Sequence, residues 1–451
     1  MTDILSGTDL ATARQPSRVL IGPALLIYFH IAVCCVSLIY VAQVYGYAGI
    51  LRFDQDQIYK AILNIVPFAA VSLLFTFSRF SFGYLLGFYF YTMVLGFLWV
   101  VEFTKFSYSR EIASFSAIAS TIAFLLPALL ITSPLKWRNT LSPGAFESLL
   151  FCIMASGAAL IGIGAIYNFR LVGIEDIYSF RDTLEFPIPL VYAMGITSNT
   201  LLPFAFACFV MRGQHRRAAA VILLLSLFYP VTLSKLALFS PLWLVILAVL
   251  SRMFEARTAV VVSLLVPVAV GVVLIMLYQD GFLARDYVIS YFGTVNFRMV
   301  AIPSIALDYY NSFFSTHDLT YFCQVSFLKP FINCPYSDPL SIVMAKEYGL
   351  GNFNASLFAT EGIASVGLLF APFAVLACGL VLAVANRVSS DLPPRFILIS
   401  SAVISQALLN VPLTTSLLTN GAFFMFVLWH ITPREIFDPK SLHGRAESGL
   451  A

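Results

Sequence analysis

The sequence predicts an all-α, polytopic membrane protein, and three observations carry that expectation. Of the 451 residues, 60% are hydrophobic and only 11% are charged, a usage outside that of soluble domains. The mean hydropathy is +0.89. Apolar runs of about 18 to 25 residues recur along the chain, each long enough to cross about 30 Å of hydrocarbon as a helix. A membrane barrel would instead read as alternating segments of about ten residues.

The elements follow in order. Residues 1–18 are polar and carry Arg14 and Arg18 ahead of the first apolar run. No small-x-small cleavage site follows, so that run is expected to remain as a helix rather than leave as a signal peptide. Spans are expected at about 19–46, 61–78, 82–103, 113–134, 147–168, 188–211, 218–233, 236–251, 259–279, 361–386, 396–414 and 417–431. This gives a cytoplasmic N-terminus (1–18), nine spans with short loops (19–279), a long periplasmic loop (280–360), three more spans (361–431) and a cytoplasmic tail (432–451). The pair around Lys235 comes from an apolar run too long for one crossing, which Pro230 and Lys235 are expected to break.

Charge sets the orientation. With the N-terminus inside, the inner connections hold fifteen Lys and Arg, and the outer ones hold eleven, or seven with the long loop excluded. Acidic residues collect outside, among them Asp54, Glu102, Glu185, Asp308, Asp318 and Glu361. Polar residues inside spans are few: Asn64, Gln406, Asn410 and Thr197 to Thr200. Span interiors are therefore expected to be nearly neutral, which argues against an ion pathway. No internal repeat is visible, a point against the common secondary-transporter folds. Seven cysteines show no C-x-x-C pairing or metal-ligand spacing, so no metal or cofactor site is expected. Nothing in the charge pattern points to nucleic acid.

Several outer stretches could carry chemistry. Tyr167 to Pro187 reads YNFRLVGIEDIYSFRDTLEFP, with Arg170, Arg181, Asp182 and Glu185. Guanidinium groups bind phosphate bidentately and keep their charge, so Arg170 and Arg181 suit a pyrophosphate that is held and then released. The alternative is a solvated loop whose charges pair among themselves. Lys235 is either a snorkelling lysine at a hairpin tip or a functional cation at the membrane surface.

The long loop opens with Arg285 and Arg298. From Met299 onward Ile302, Ile305, Ala306, Tyr309 and Phe313 recur at helical spacing, which predicts an amphipathic helix under the outer leaflet headed by Arg298. His317 and Asp318 follow and could accept a proton from a sugar hydroxyl; an ordinary surface pair is the plainer alternative. Cys323 and Cys334 could close a disulfide in an oxidising compartment. Asp338-Pro339 reads as a helix start and Gly349 as the matching stop. Asn352 and Asn354 stand in a Gly/Asn turn that is either a sugar-binding site or a linker. The D-x-D at Asp54 to Asp56 is too short a pattern to carry weight alone.

Together, IYSFRD, TLSK, NFRMVAIPSIALDYY and GNFNASLFATEGIASVG, set among about twelve spans, resemble the Wzy-type O-antigen or oligosaccharide repeat-unit polymerases from about Tyr167 to Arg387. The resemblance implies a glycosyltransferase of the GT-C broad class at the outer face of a bacterial inner membrane. Its donor and acceptor would both be undecaprenyl-diphosphate-linked glycans, with a polysaccharide chain-length regulator as a candidate partner. It implies functional arginines at Arg181 and Arg298, with Arg285 and Lys235 as helpers. Pyrophosphate is a good leaving group, so cations that neutralise developing charge matter more than a strong acid. Asp182, Glu185, His317 or Asp318 would serve as base in an inverting, metal-independent displacement, which activity in chelator would test. The rivals are an O-antigen ligase, separable by its acceptor, and a lipid-linked oligosaccharide flippase or other transporter, which would line its spans with charge.

Overall fold

The computed structural model describes residues 18–46, 51–136, 139–173, 176–177, 180, 184–325, 328, 330–349 and 354–437. All regular structure among them is helical. Nine helices come first: α1 (Arg18–Tyr45), α2 (Gln55–Phe77), α3 (Phe82–Phe103), α4 (Arg110–Leu130), α5 (Pro143–Tyr167), α6 (Ile188–Met211), α7 (His215–Thr232), α8 (Lys235–Met253) and α9 (Ala256–Gln279). A rod, α10 (Arg285–Phe314), and a short helix, α11 (Leu340–Tyr348), follow. The last part comprises α12 (Phe358–Ser389), α13 (Pro394–Ser400), α14 (Ala402–Leu408), α15 (Leu413–Leu418) and α16 (Ala422–Ile431). Ten of the described helices are long and apolar enough to cross a membrane. The chain is an all-α, multi-pass membrane protein.

Alternation of direction gives the bundle two ends. At one, the tail end, the Asn386 side chain accepts from Gly83 N at 2.7 Å and donates to Ala128 O at 2.7 Å. Arg395 Nε donates to Ser251 there, at 3.1 Å. At the other, the cap end, Arg52 N donates to Phe103 O and Arg170 N to Pro230 O, at 3.0 and 2.9 Å. The α3 helix forms the axis: every residue from Phe82 to Val100 is buried, as expected of an apolar helix surrounded by others rather than facing lipid on one side.

Ten candidate spans rather than twelve reflect two features, besides α7 at the expected 218–233, which is not among the ten. The expected spans at 396–414 and 417–431 are broken: α13 and α14 enter from the tail end, α15 turns within the bundle, and α16 returns over only ten residues. Asn420 O accepts from Thr200 Oγ1 at 2.8 Å and Asn420 Oδ1 from Asn199 Nδ2 at 3.0 Å, and both donors lie midway along α6. Irregular backbone at that depth is tolerated only where protein or water satisfies it. The break between α7 and α8 falls at Leu233, left-handed at φ 47°, while Pro230 stays within α7.

The second feature is α10, which fills the first part of the expected 280–360 loop. It is not a helix lying under a leaflet, and Arg298 does not head it: the helix begins at Arg285, thirteen residues earlier. Residues Pro303 to Asn311 are all buried, because the polar side of the expected amphipathic helix also faces protein. Its hydrogen bonds reach Pro267 and Val268 in α9, Ser37 in α1 and Met93 in α3. By Asp308 they are back at the cap end, at Thr104 and Tyr108. The rod thus lies obliquely across the cap-end half of three helices. Two glycines admit it: a Cβ on Gly96 would stand 2.2 Å from Ser304 Oγ, and one on Gly271 would stand 1.8 Å from Asn296 Oδ1.

After the rod, the described residues of 315–349 form a cap. Cys323 and Cys334 are joined by a disulfide with Cα atoms 5.2 Å apart. Thr320 N and Tyr321 N donate to Ala364 O and Ser365 O, at 2.8 and 3.1 Å, tying the cap to α12. Gly349, at φ 65°, stops α11. The Asp338 carboxylate does not cap that helix: Pro339 holds the N-cap position, one residue later, and the carboxylate accepts from Lys346 Nζ at 2.6 Å.

Candidate functional site

Three polar groups gather in the cap-end half. The first is centred on Asp308, a fully buried carboxylate in α10. It accepts from Thr104 Oγ1 at 2.7 Å and from the Tyr108 hydroxyl. Burial, reinforced by the negative charge of Asp308, pushes the Tyr108 phenol well above its ordinary range, and the hydroxyl donates to Asp308. Phe106, Tyr309 and Tyr348 pack edge to face around the group, with ring centroids 4.7 to 5.4 Å apart.

The second is centred on Glu361 in α12, 5% exposed. Its Oε1 accepts from Thr414 N and Thr414 Oγ1, both at 3.0 Å, and its Oε2 from Thr360 Oγ1 at 2.5 Å. Phe358–Ala364, Gly293–Ala301 in α10 and Thr197–Leu201 in α6 are wound as π-helices, a rare geometry found often at functional positions. Each of the three carries polar groups into the bundle: Glu361, Asn296, and Asn199 with Thr200.

The third is cationic. Asn168 Nδ2 donates to Pro230 O and Val231 O at 3.0 and 2.9 Å, and the Tyr229 hydroxyl to Val172 O. These bonds lay the segment after α5 onto the α7–α8 turn, so Arg170 and Lys235 share one edge of the cap end. Arg170 is exposed and its guanidinium stands 5.8 Å from the Phe180 ring; Lys235 is half-buried at the start of α8. Because α8 and α9 are adjacent and antiparallel, the start of α8, the end of α9 and Arg285 also share that end of the bundle.

The other expected site residues are dispersed. Arg285 and Arg298 are both exposed on α10, at its start and in its π-helical part. His317 stacks on Phe313 at 3.9 Å, and its Nδ1 lies 2.9 Å from Phe313 O, which holds that nitrogen to its own helix end. The Asp318 side chain is exposed, and its backbone oxygen accepts from Tyr336 at 2.7 Å. Glu185 and Asn354 are exposed. Arg181, Asp182 and Asn352 lie outside the described residues. Asp54 caps the turn that follows it through Asp56 N at 3.0 Å, a structural use of the D-x-D.

The nearly neutral span interiors expected from the sequence are corrected by Asp308 and Glu361. By sequence both fall among the outer-face acids, because each stands near the end of an apolar run. The available signal was their phase: Asp308 interrupts an otherwise apolar helical face in IPSIALDYY, and Glu361 opens a long apolar helix. Comparison of the chain with protein-family models, with curated proteins and with solved structures finds no match.

Proposed function

We propose that this protein is a membrane glycosyltransferase of the bacterial inner membrane. In this reading it polymerises undecaprenyl-diphosphate-linked oligosaccharide units at its periplasmic cap end. The observation that carries the reading is the joining of Arg170 and Lys235 on one edge by the Asn168 and Arg170 bonds to Pro230 and Val231. Two cations at the end of an apolar bundle suit a diphosphate held at a bilayer surface. The donor diphosphate departs with the electrons of its glycosidic C–O bond, while an acceptor hydroxyl attacks the same carbon and loses its proton to a carboxylate or imidazole nearby. Arg181, Arg298 and Arg285 are the further cations of this reading, and Glu185, Asp318 and His317 its candidate bases.

The test is chain length in cells. Arg170→Ala together with Lys235→Ala, and Arg298→Ala separately, are expected to abolish polymer while leaving protein level and single-repeat lipid intact. Near-normal chain lengths in both variants would overturn the assignment. A second reading, transport of the lipid-linked glycan, draws on Asp308 and Glu361, since buried carboxylates in apolar helices mark translocation pathways. Reconstituted protein that moves labelled lipid across vesicles without lengthening it would favour transport.

A further inference from the structure

A cavity of about 590 Å³ opens at the cap end between the end of α1 and the segments 51–53 and 103–105. Its walls include Ala42, Leu51 and Phe53, and its polar groups include Gln43, Arg52 and Lys105. The two cations are brought together by backbone: Arg52 N donates to Phe103 O at 3.0 Å, and Phe53 stacks on Phe103 at 6.1 Å. Among the described residues neither side chain makes an ion pair or a hydrogen bond; Lys105 Nζ rests 5.6 Å from the Phe106 ring.

Nearby carboxylates are engaged elsewhere. Asp54 caps Asp56 N, Glu102 accepts from Asn64 Nδ2 at 2.7 Å, and Asp308 accepts from Thr104 and Tyr108. The cavity therefore sets two cations that make no ion pair among the described residues, Arg52 and Lys105, beside an apolar wall. Beside it α2 presents an exposed apolar stripe, Tyr59, Ile62 and Val66, at the spacing of one helix face. Polar head and apolar flank together fit an amphiphile whose head is anionic.

We propose that Arg52 and Lys105 bind the diphosphate head of a second carrier lipid, whose chain lies along α2. The identity of that lipid rests on the polymerase reading. A polymerase joins two lipid-linked substrates, of which only one loses its diphosphate, so two diphosphate sites are required. The two cationic groups stand on different elements along the rod: Arg285 starts it on the α8–α9 side with Lys235, while Tyr45 at the end of α1 stacks on its Phe297 and Asp308 further on meets Thr104, next to Lys105. The Arg52–Lys105 cavity is the second site.

The test uses the full chain purified in detergent, with undecaprenyl diphosphate as probe and inorganic pyrophosphate and phosphatidylcholine as comparators. The unaltered protein is expected to bind two molecules of undecaprenyl diphosphate per chain, R52Q/K105Q to bind one because affinity at the second site falls about tenfold or more, and the charge-keeping R52K/K105R to bind two. Phosphatidylcholine should not compete. Equal binding by R52Q/K105Q and the unaltered protein would overturn the site. Equal affinity for pyrophosphate and the lipid would overturn the lipid assignment. Failure of the polymerase reading looks different: binding would remain sensitive to R52Q/K105Q while reconstituted protein made no polymer.

Discussion

The rod and the cap belong to one connection between α9 and α12, are similarly rich in polar and aromatic residues, and are used in opposite ways. In the rod, polar side chains on the packed face find partners inside the bundle: Asn296 with Ser37 and Val268, Ser304 with Met93, Asp308 with Thr104 and Tyr108. In the cap, Asp318, His317, Lys346 and Asp338 stand at or near the surface, and a disulfide takes over part of the work that packing does in the rod. Polarity in a membrane protein's connection therefore does not mark exposure. It marks either water or a matching partner, and the partner is supplied from distant helices.

The sharpest way to break the comparison is steric. Gly96→Leu places side-chain atoms where Ser304 packs, and overpacking of this kind costs about 3 kcal/mol. The expected outcome is loss of monodisperse protein in detergent, partly restored by Ser304→Gly. A rod that merely rested on the bundle would tolerate the change.

Next in size is Asp308→Ala, which leaves the Thr104 and Tyr108 hydroxyls buried without an acceptor and should destabilise by about 2 to 3 kcal/mol. Asp318→Ala, the matching change in the cap, is expected within about 0.5 kcal/mol of no effect. Thermal unfolding of the two variants side by side checks both, and equal shifts would erase the distinction.

The most local effect is expected from Cys334→Ser. Opening a short disulfide loop is worth about 2 kcal/mol at most sites, but here the loss is confined to the cap. Hydrogen exchange should quicken between Leu319 and Ser337 and stay unchanged in α10. Faster exchange in the rod would show that the cap supports it.

Much of the fold was legible because an apolar helix announces itself locally. The boundaries of α3, α6 and α9 follow hydropathy that needs no knowledge of neighbours. Gly349 ends a helix as the sequence predicts, and the break expected of Pro230 and Lys235 falls between them, at Leu233. The candidate site was less legible. Arg170 and Lys235 were individually visible, but not the Asn168 bonds that set them on one edge. Asp308 and Glu361 were visible only as acids near the ends of apolar runs, and their donors, Tyr108 and Thr414, lie 200 and 53 residues away in the chain.

The sequence by itself determined that this is a helical membrane protein, where most of its helices run, and which cations and acids it holds. Those properties are sums over neighbouring residues, since transfer of a segment from water depends on that segment's own side chains. Only the tertiary structure decided that α10 enters the bundle, that Asp308 and Glu361 are buried and satisfied, and that Arg52 meets Lys105 over one cavity. Each of those depends on a partner from another helix, and a buried polar group is tolerated only where the fold brings that partner within hydrogen-bonding distance.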